Sequence, residues 1–210
     1  EHSITVLEQA IEHEERLGGP NLVIRLAALL HDIGKPKTRA FIEGGGVSFH
    51  HHEVVGARLA KKRLQALRFD NDTIDAVELL TTLHLRFHGY GEGEWTDSAV
   101  RRYVRDAGEF ITHLHVLTRA DCTTRNTTKA ARLAATYDSL EARIAVLMEQ
   151  EELSKIRPDL DGEQVMQILN MKPSREVGQA MDFLLELRLE QGPIGEEAAT
   201  KALLEWWAKR

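Results

Sequence analysis

The sequence predicts an all-α protein, and three observations predict it. Apolar residues recur at helical spacing almost throughout, as in Ile4, Leu7, Ile11 and again in Ile74, Val77, Leu80, Leu83, Phe87, so most segments carry one apolar stripe. Proline, glycine and short polar side chains punctuate these stripes where helices start and stop. Only one stretch, between Lys37 and His50, reads as β structure.

Taken in order, the first helix carries Ile4, Leu7 and Ile11. Leu22 to Ile33 is apolar nearly all round, opens with Pro20 in a first-turn position and stops at Gly34 with Pro36 beyond, which predicts a central buried helix. Ala40-Phe41-Ile42, Gly44-Gly45-Gly46 and Val47-Ser48-Phe49 predict a short hairpin across a glycine turn. Helices are expected next at about 52–68, 71–87, 97–107 and 109–124, with Asp70 or Asn71 capping the second and Thr96 or Asp97 the third. A long pattern, Leu133, Tyr137, Leu140, Ile144, Leu147, runs toward Pro158, where a proline ends it. The expected domain boundary lies there, giving residues 1–157 and 158–210. Beyond it, Asp161-Gly162 opens a short helix, Pro173-Ser174 opens a longer one ending at Gly192-Pro193, and the last helix carries Trp206-Trp207. Those tryptophans are read as core, with a homodimer contact as the alternative.

Composition narrows the class. The chain has 210 residues, 42% of them hydrophobic, which suits a globular protein with a sizeable core. No stretch approaches the roughly 20 apolar residues of a membrane span, and the N-terminus lacks the basic-then-apolar pattern of a signal peptide, so the expectation is a cytoplasmic protein with no membrane partner. The single cysteine, Cys122, fits a reducing compartment and is expected to be buried beside Asp121. A net charge of -6 gives no overall footprint for nucleic acid, so any RNA contact must be local. The candidates are Lys61-Lys62-Arg63 and, preferred as RNA-binding residues, Arg101, Arg102 and Arg105.

Histidine stands out, with 10 residues, and it is the commonest metal ligand. A His31-Asp32 dipeptide alone is unremarkable. It gains meaning from His2 near the start of the first helix, His52 at the start of the third, His84 inside the fourth and Asp121 in the sixth. Each is set in apolar sequence, where a buried imidazole or carboxylate needs a partner or a metal. Nitrogen and oxygen donors of this kind suit borderline to hard divalent ions. His52 is preferred over His50 and His51 because Glu53 follows it at a helix start. His13, His88, His113 and His115 are read as ordinary.

His2, His31-Asp32 followed by Ile33-Gly34-Lys35, and Asp121 together resemble the H…HD…D signature of the HD superfamily of phosphohydrolases, and His52 and His84 resemble its extended form. The resemblance implies an HD-type helical domain holding one or two divalent ions, of which Mg, Mn, Ni, Fe, Co and Zn all remain open. It implies a first metal on His2, His31, Asp32 and Asp121, a second on His52 and His84, and Asp32 bridging. Two ions sharing a carboxylate can activate water and neutralise phosphate oxygens. Lys35 could then steady a phosphate, and either His84 or a metal-activated water could act as base.

Within that superfamily the chain lacks the acidic pair expected of a stringent-response hydrolase, since Lys35-Pro36-Lys37 stands there. It also lacks the Gly-Tyr-Pro of the cyclic-dinucleotide branch, since Val54-Val55-Gly56-Ala57 follows His52-Glu53. A longer set is similar to the C-terminal region of bacterial, particularly actinobacterial, CCA-adding tRNA nucleotidyltransferases: Leu30 to Pro36, Phe49 to Ala57, Leu83 to Tyr90, Trp95 to Arg102, Arg119 to Thr123 and Leu160 to Met171. The resemblance implies a C-terminal helical lobe that contacts tRNA, and a transferase head that this sequence does not show. The expected function is divalent-metal-dependent hydrolysis of phosphomonoesters or 2',3'-cyclic phosphodiesters on nucleotides or tRNA. The alternatives are a non-catalytic tRNA-binding scaffold with a vestigial or structural metal site, and a stand-alone HD nucleotidase.

Overall fold

The computed structural model describes residues 1–90, 95–151 and 156–210. The described chain is all-α apart from one antiparallel hairpin, as the periodicity predicts. Helices α1 (His2–Glu12), α2 (Leu22–Leu30) and α3 (Lys35–Thr38) precede strands β1 (Ala40–Phe41) and β2 (Val47–Ser48). Then come α4 (His52–Ala66), α5 (Asn71–Leu83), α6 (Asp97–Ala107), α7 (Ile111–Ala120), α8 (Thr127–Glu151), α9 (Gly162–Ile168), α10 (Arg175–Gln191) and α11 (Glu196–Trp207). Two compact units are formed, one within residues 1–94 and 107–141, the other within 95–106 and 142–210. The boundary expected at 157/158 falls inside the second unit.

In the first unit α1 packs on α2 and α7, α2 on α5 and α7, and α4 along α5. Ile24, Leu80, Leu114 and Leu117 are fully buried between them, and each such side chain contributes about 1.5–3 kcal/mol. Small residues, Ala27, Ala28, Ala57 and Ala60, let the helices approach closely. In the second unit Leu160, Val165, Ala180, Leu184, Ala199 and Leu203 form the core. Trp206 packs against it, stacked on Phe183 with centroids 4.9 Å apart, which agrees with its reading as core.

Several helix ends differ from expectation, and each has a local cause. Pro20 is not in the first turn of α2: Asn21 is the cap, its side chain accepting from the Ile24 amide at 3.0 Å, so the proline stands just before the cap. The helix expected over 71–87 stops at Leu83, and a 3-10 turn covers Arg86–Gly89. The helix expected over 109–124 is α7, which starts at Ile111 after a 3-10 turn at Gly108–Phe110 and ends at Ala120; Gly108, with a left-handed φ of 53°, separates that turn from α6. Asp70 and Thr96 cap as read, accepting from the amides of Thr73 and Ala99. Asp161 forms a reciprocal capping box with Gln164.

The tightest backbone approach lies where the turn after α2 meets α4. A Cβ at Gly34 would lie 2.1 Å from the His52 carbonyl oxygen and 2.7 Å from the Gly56 amide nitrogen. Both are backbone atoms and cannot swing away. Gly34→Ala is therefore expected to destabilise the protein by about 3 kcal/mol and to shift His52 relative to His31. Urea denaturation checks the first effect; a midpoint equal to wild type would contradict it.

Candidate metal centre

The six residues implicated by sequence converge in the first unit; five stand at helix ends, and Asp32 lies in the turn just beyond α2. His31, His84 and Asp121 are the residues that close α2, α5 and α7. His2 and His52 are the first residues of α1 and α4. Three helix C-terminal ends and two N-terminal ends thus meet at one locus, so the helix dipoles largely offset there and the side chains set its charge.

One local device orients three of the imidazoles. The Nδ1 of His31 lies 2.8 Å from the Ala28 carbonyl oxygen, that of His52 2.8 Å from Phe49 O, and that of His84 2.7 Å from Thr81 O. A carbonyl only accepts, so each Nδ1 carries the hydrogen and donates it. In α2 and α5 the accepting carbonyl belongs to the last turn, so the histidine ends the helix while aiming its own ring. This is why both helices stop earlier than their apolar pattern suggests. The tautomer leaves Nε2 bare in each neutral ring, and all three Nε2 atoms are buried without a hydrogen-bond partner. Holding one ring nitrogen on a carbonyl to present the other is how metal-binding histidines are oriented.

Asp32 sits between two groups of donors. Its Oδ2 is 3.3 Å from His31 Nε2 and 3.4 Å from His2 Nε2, and its Oδ1 is 3.3 Å from His52 Nε2 and 3.9 Å from His84 Nε2. Asp121 Oδ1 lies 3.1 Å from His2 Nε2 and 3.4 Å from His31 Nε2. His2, His31 and Asp121 form one group able to hold an ion, and Asp32, His52 and His84 form another. Donor atoms about 2.1 Å from one ion, at octahedral or tetrahedral angles, stand roughly 3.0–3.4 Å apart. Most of the distances here match that spacing, and donor atoms at such range need a positive charge among them, either a proton, as on His31, or a cation.

Electrostatics agree. Burial raises the pKa of Asp32, yet His31 and Lys35 beside it hold its carboxyl far below the usual carboxylate range. Asp121 is likewise lowered, burial being outweighed by His31. Burial opposes a charge on His31, but the nearby Asp121 and Asp32 carboxylates draw its pKa up to about 9. That attraction acts across 3.3–3.4 Å without hydrogen-bond alignment at Nε2. His84 is pushed down to about 4, chiefly by burial, which keeps it a neutral donor near pH 7 and makes it a weak base.

The remaining predicted residues fall as follows. Lys35 Nζ is 2.6 Å from Asp32 Oδ2 and its side chain is 37% exposed. His51 is exposed and holds a left-handed φ of 58°, which turns the chain so that His52, not its neighbours, faces inward. Cys122 is half-buried rather than buried. Arg101 corrects the RNA-binding expectation: it is buried in the second unit, bidentate to Glu151 at 2.8 Å and donating to the Leu189 and Glu190 carbonyls. Arg102 pairs with Glu186 and Glu190, and Arg105 is exposed. The sequence reading did not find the Gly34–Gly56 approach or Thr123, whose hydroxyl lies 3.5 Å from His2 Nδ1. The glycine at Gly34 was visible, but only as a helix stop.

A helical domain with paired histidine-carboxylate groups at helix ends defines a class, and comparison with known proteins places the chain in it. Residues 1–148 match the HD domain family, and the chain belongs to that family, whose members bind divalent metals. Among curated proteins it is 35% identical to the CC-adding tRNA nucleotidyltransferase of Thermus thermophilus over 191 residues, covering 89% of this chain and 40% of that protein. It is 30% identical to the A-adding tRNA nucleotidyltransferase of Deinococcus radiodurans over an alignment of 212 residues, covering 100% of this chain and 46% of that protein. A multifunctional CCA protein of Neisseria meningitidis is 34% identical over 92 residues. The chain spans less than half the length of these relatives.

Because a cation must displace the His31 proton, metal binding should release protons. The folded pKa of His31 is raised, so its proton stabilises the metal-free protein below the ordinary value of 6.5 and that stabilisation fades as pH rises through about 9. Metal affinity should accordingly climb about tenfold per pH unit from near neutrality toward that value. Calorimetric titration with Mn²⁺ in buffers of different ionisation enthalpy reads the release; identical heats would contradict it.

Proposed function

We propose that this chain is a divalent-metal-dependent phosphohydrolase region that acts on phosphomonoesters or 2',3'-cyclic phosphodiesters of nucleotides or RNA ends. The observation that carries this reading is the single carboxylate of Asp32 facing two imidazole groups, one with each oxygen. His2, His31, Asp121 and Asp32 Oδ2 would hold one ion; Asp32 Oδ1, His52 and His84 would hold the other. When bound, such ions supply an activated water and neutralise phosphate oxygens during in-line displacement.

The chain's own residues do the rest. The three Nδ1–carbonyl hydrogen bonds fix the rings before any substrate arrives, so little reorganisation is needed at reaction. Lys35 offsets the charge of Asp32 and, being partly exposed on a flexible stem, can turn its ammonium to an incoming phosphate. His84 fits a ligand role better than that of general base, given its burial and lowered pKa. The names of the similar nucleotidyltransferases support tRNA as the macromolecule concerned, and we extend the reading to participation in tRNA-end maturation on that basis. Arg105 is the one of the three α6 arginines whose exposure suits an RNA contact.

Asp32→Ala should lower metal affinity by about a hundredfold or more and take hydrolysis of bis(p-nitrophenyl) phosphate and of 2',3'-cyclic AMP to background. Elemental analysis and turnover are read on the same preparation. Retained turnover at wild-type metal content would overturn the proposal.

A further inference from the structure

Beside Asp121 the first unit opens into a cavity of about 920 Å³, much larger than a bare phosphate needs and at the upper end of small-ligand sites. Asp121 lines it, so the cavity shares a wall with the metal centre. Two chemistries meet in it. One wall is aromatic: Tyr90 is partly exposed beside Phe87, centroids 5.9 Å apart, and buried Phe87 is backed in turn by buried Tyr137 at 4.2 Å, so Tyr90 supplies the ring a ligand can reach. The other is cationic and comes from the start of α8, where Lys129 and Arg132 stand one turn apart on the same face. Thr123 and Thr124 add hydroxyls between them.

The two cations are not explained by stability. Lys129 is in the first turn of α8, where the helix dipole disfavours positive charge. Both residues are exposed, and among the described residues neither the Lys129 ammonium nor the Arg132 guanidinium forms an ion pair or hydrogen bond. By contrast, Arg119 on α7 is held by Asp138 and Glu141. A pair of uncommitted cations facing an aromatic wall, next to a centre suited to a phosphate ester, matches one repeating ligand: a base to stack and a phosphodiester to neutralise.

Resting on the phosphohydrolase reading above, we propose that this cavity is a subsite for the nucleotide preceding the reacting end of a polynucleotide. Lys129 and Arg132 hold its backbone phosphate, and Tyr90, backed by Phe87 and Tyr137, faces its base. The substrate class is then an oligonucleotide terminus rather than a free mononucleotide.

The test is a binding titration on the full chain in EDTA, following the anisotropy of a labelled pentaribonucleotide with a 3'-phosphate and competing it with a 3'-mononucleotide. K129A/R132A should weaken the oligonucleotide about tenfold, flatten the dependence of log affinity on log salt by about 0.7 for each phosphate no longer neutralised, and reduce the preference for oligonucleotide over mononucleotide. R58A/R68A, at exposed positions on and just after α4 and with the same reduction of charge, should bind as wild type. Equal weakening in both double variants, or an unchanged preference in K129A/R132A, would overturn the subsite. The titration involves no hydrolysis, so the two readings fail separately. Binding that depends on Lys129 and Arg132 without turnover of any ester defeats the phosphohydrolase reading alone. Turnover with wild-type oligonucleotide affinity in K129A/R132A defeats the subsite alone.

Discussion

The carboxylate of Asp32 is enclosed by four imidazoles and one ammonium, with only 10% of its side chain exposed. A charge so placed is costly unless every lone pair is satisfied, and the architecture of the first unit can be understood as meeting that requirement. Helices α1, α2, α4 and α5 each contribute one ring, so each must end or begin within reach of the same two oxygens. Displacing any of these helices by a single turn, about 5.4 Å, would exceed the spacing on which the cluster depends. The small residues along α2 and α4 and the glycine contact at Gly34 and Gly56 follow from that closeness.

Precision of this kind has to be held from behind. The position of His31 depends on α2, which is anchored by Arg25 donating through Nε and Nη2 to both oxygens of buried Glu14, each at 2.7 Å, while Glu14 also accepts from the Asn21 amide. Burial costs Glu14 less than these contacts return, and its pKa is lowered, chiefly by the hydrogen bond from Arg25. The position of Asp121 depends on the end of α7, where Tyr137 donates to the Thr118 carbonyl at 2.9 Å and Arg119 reaches Asp138 and Glu141 on α8. These groups act on the candidate ligands mainly through the helices they restrain, and they are rigid supports of the type a precise site needs.

How much of this was legible in the sequence depends on what kind of information each feature needs. The helices could be read because burial imposes a 3.6-residue period on residues such as Ile74, Val77 and Leu80. The six clustered residues could be named because polar donors in apolar surroundings are rare enough to notice. The sharing of Asp32 between two groups came from resemblance, since no spacing along a chain states which oxygen faces which ring. Helix ends were misread at His84 because a histidine that caps its own helix looks, in one dimension, like one more helical residue. Arg101 was misread for the same reason: exposed and buried arginines on an amphipathic helix have the same letter, and only the partner Glu151, 50 residues away, distinguishes them.

Charge balance connects the site to its ligands. In the metal-free protein two carboxylates, Asp32 and Asp121, are offset by Lys35 and by the proton that His31 retains. The cluster is then close to neutral and closed on itself. A divalent cation that displaces the proton changes the sum to one excess positive charge, and a second cation raises it to three. The cluster itself attracts an anion only in those states, and more strongly in the doubly occupied one. The same balance explains why Lys35 can be both a partner for Asp32 and a candidate phosphate contact: once Asp32 is satisfied by cations, the ammonium is no longer needed there. Metal loading and anion affinity would then be coupled through one side chain, by the shared carboxylate and without any motion of the helices.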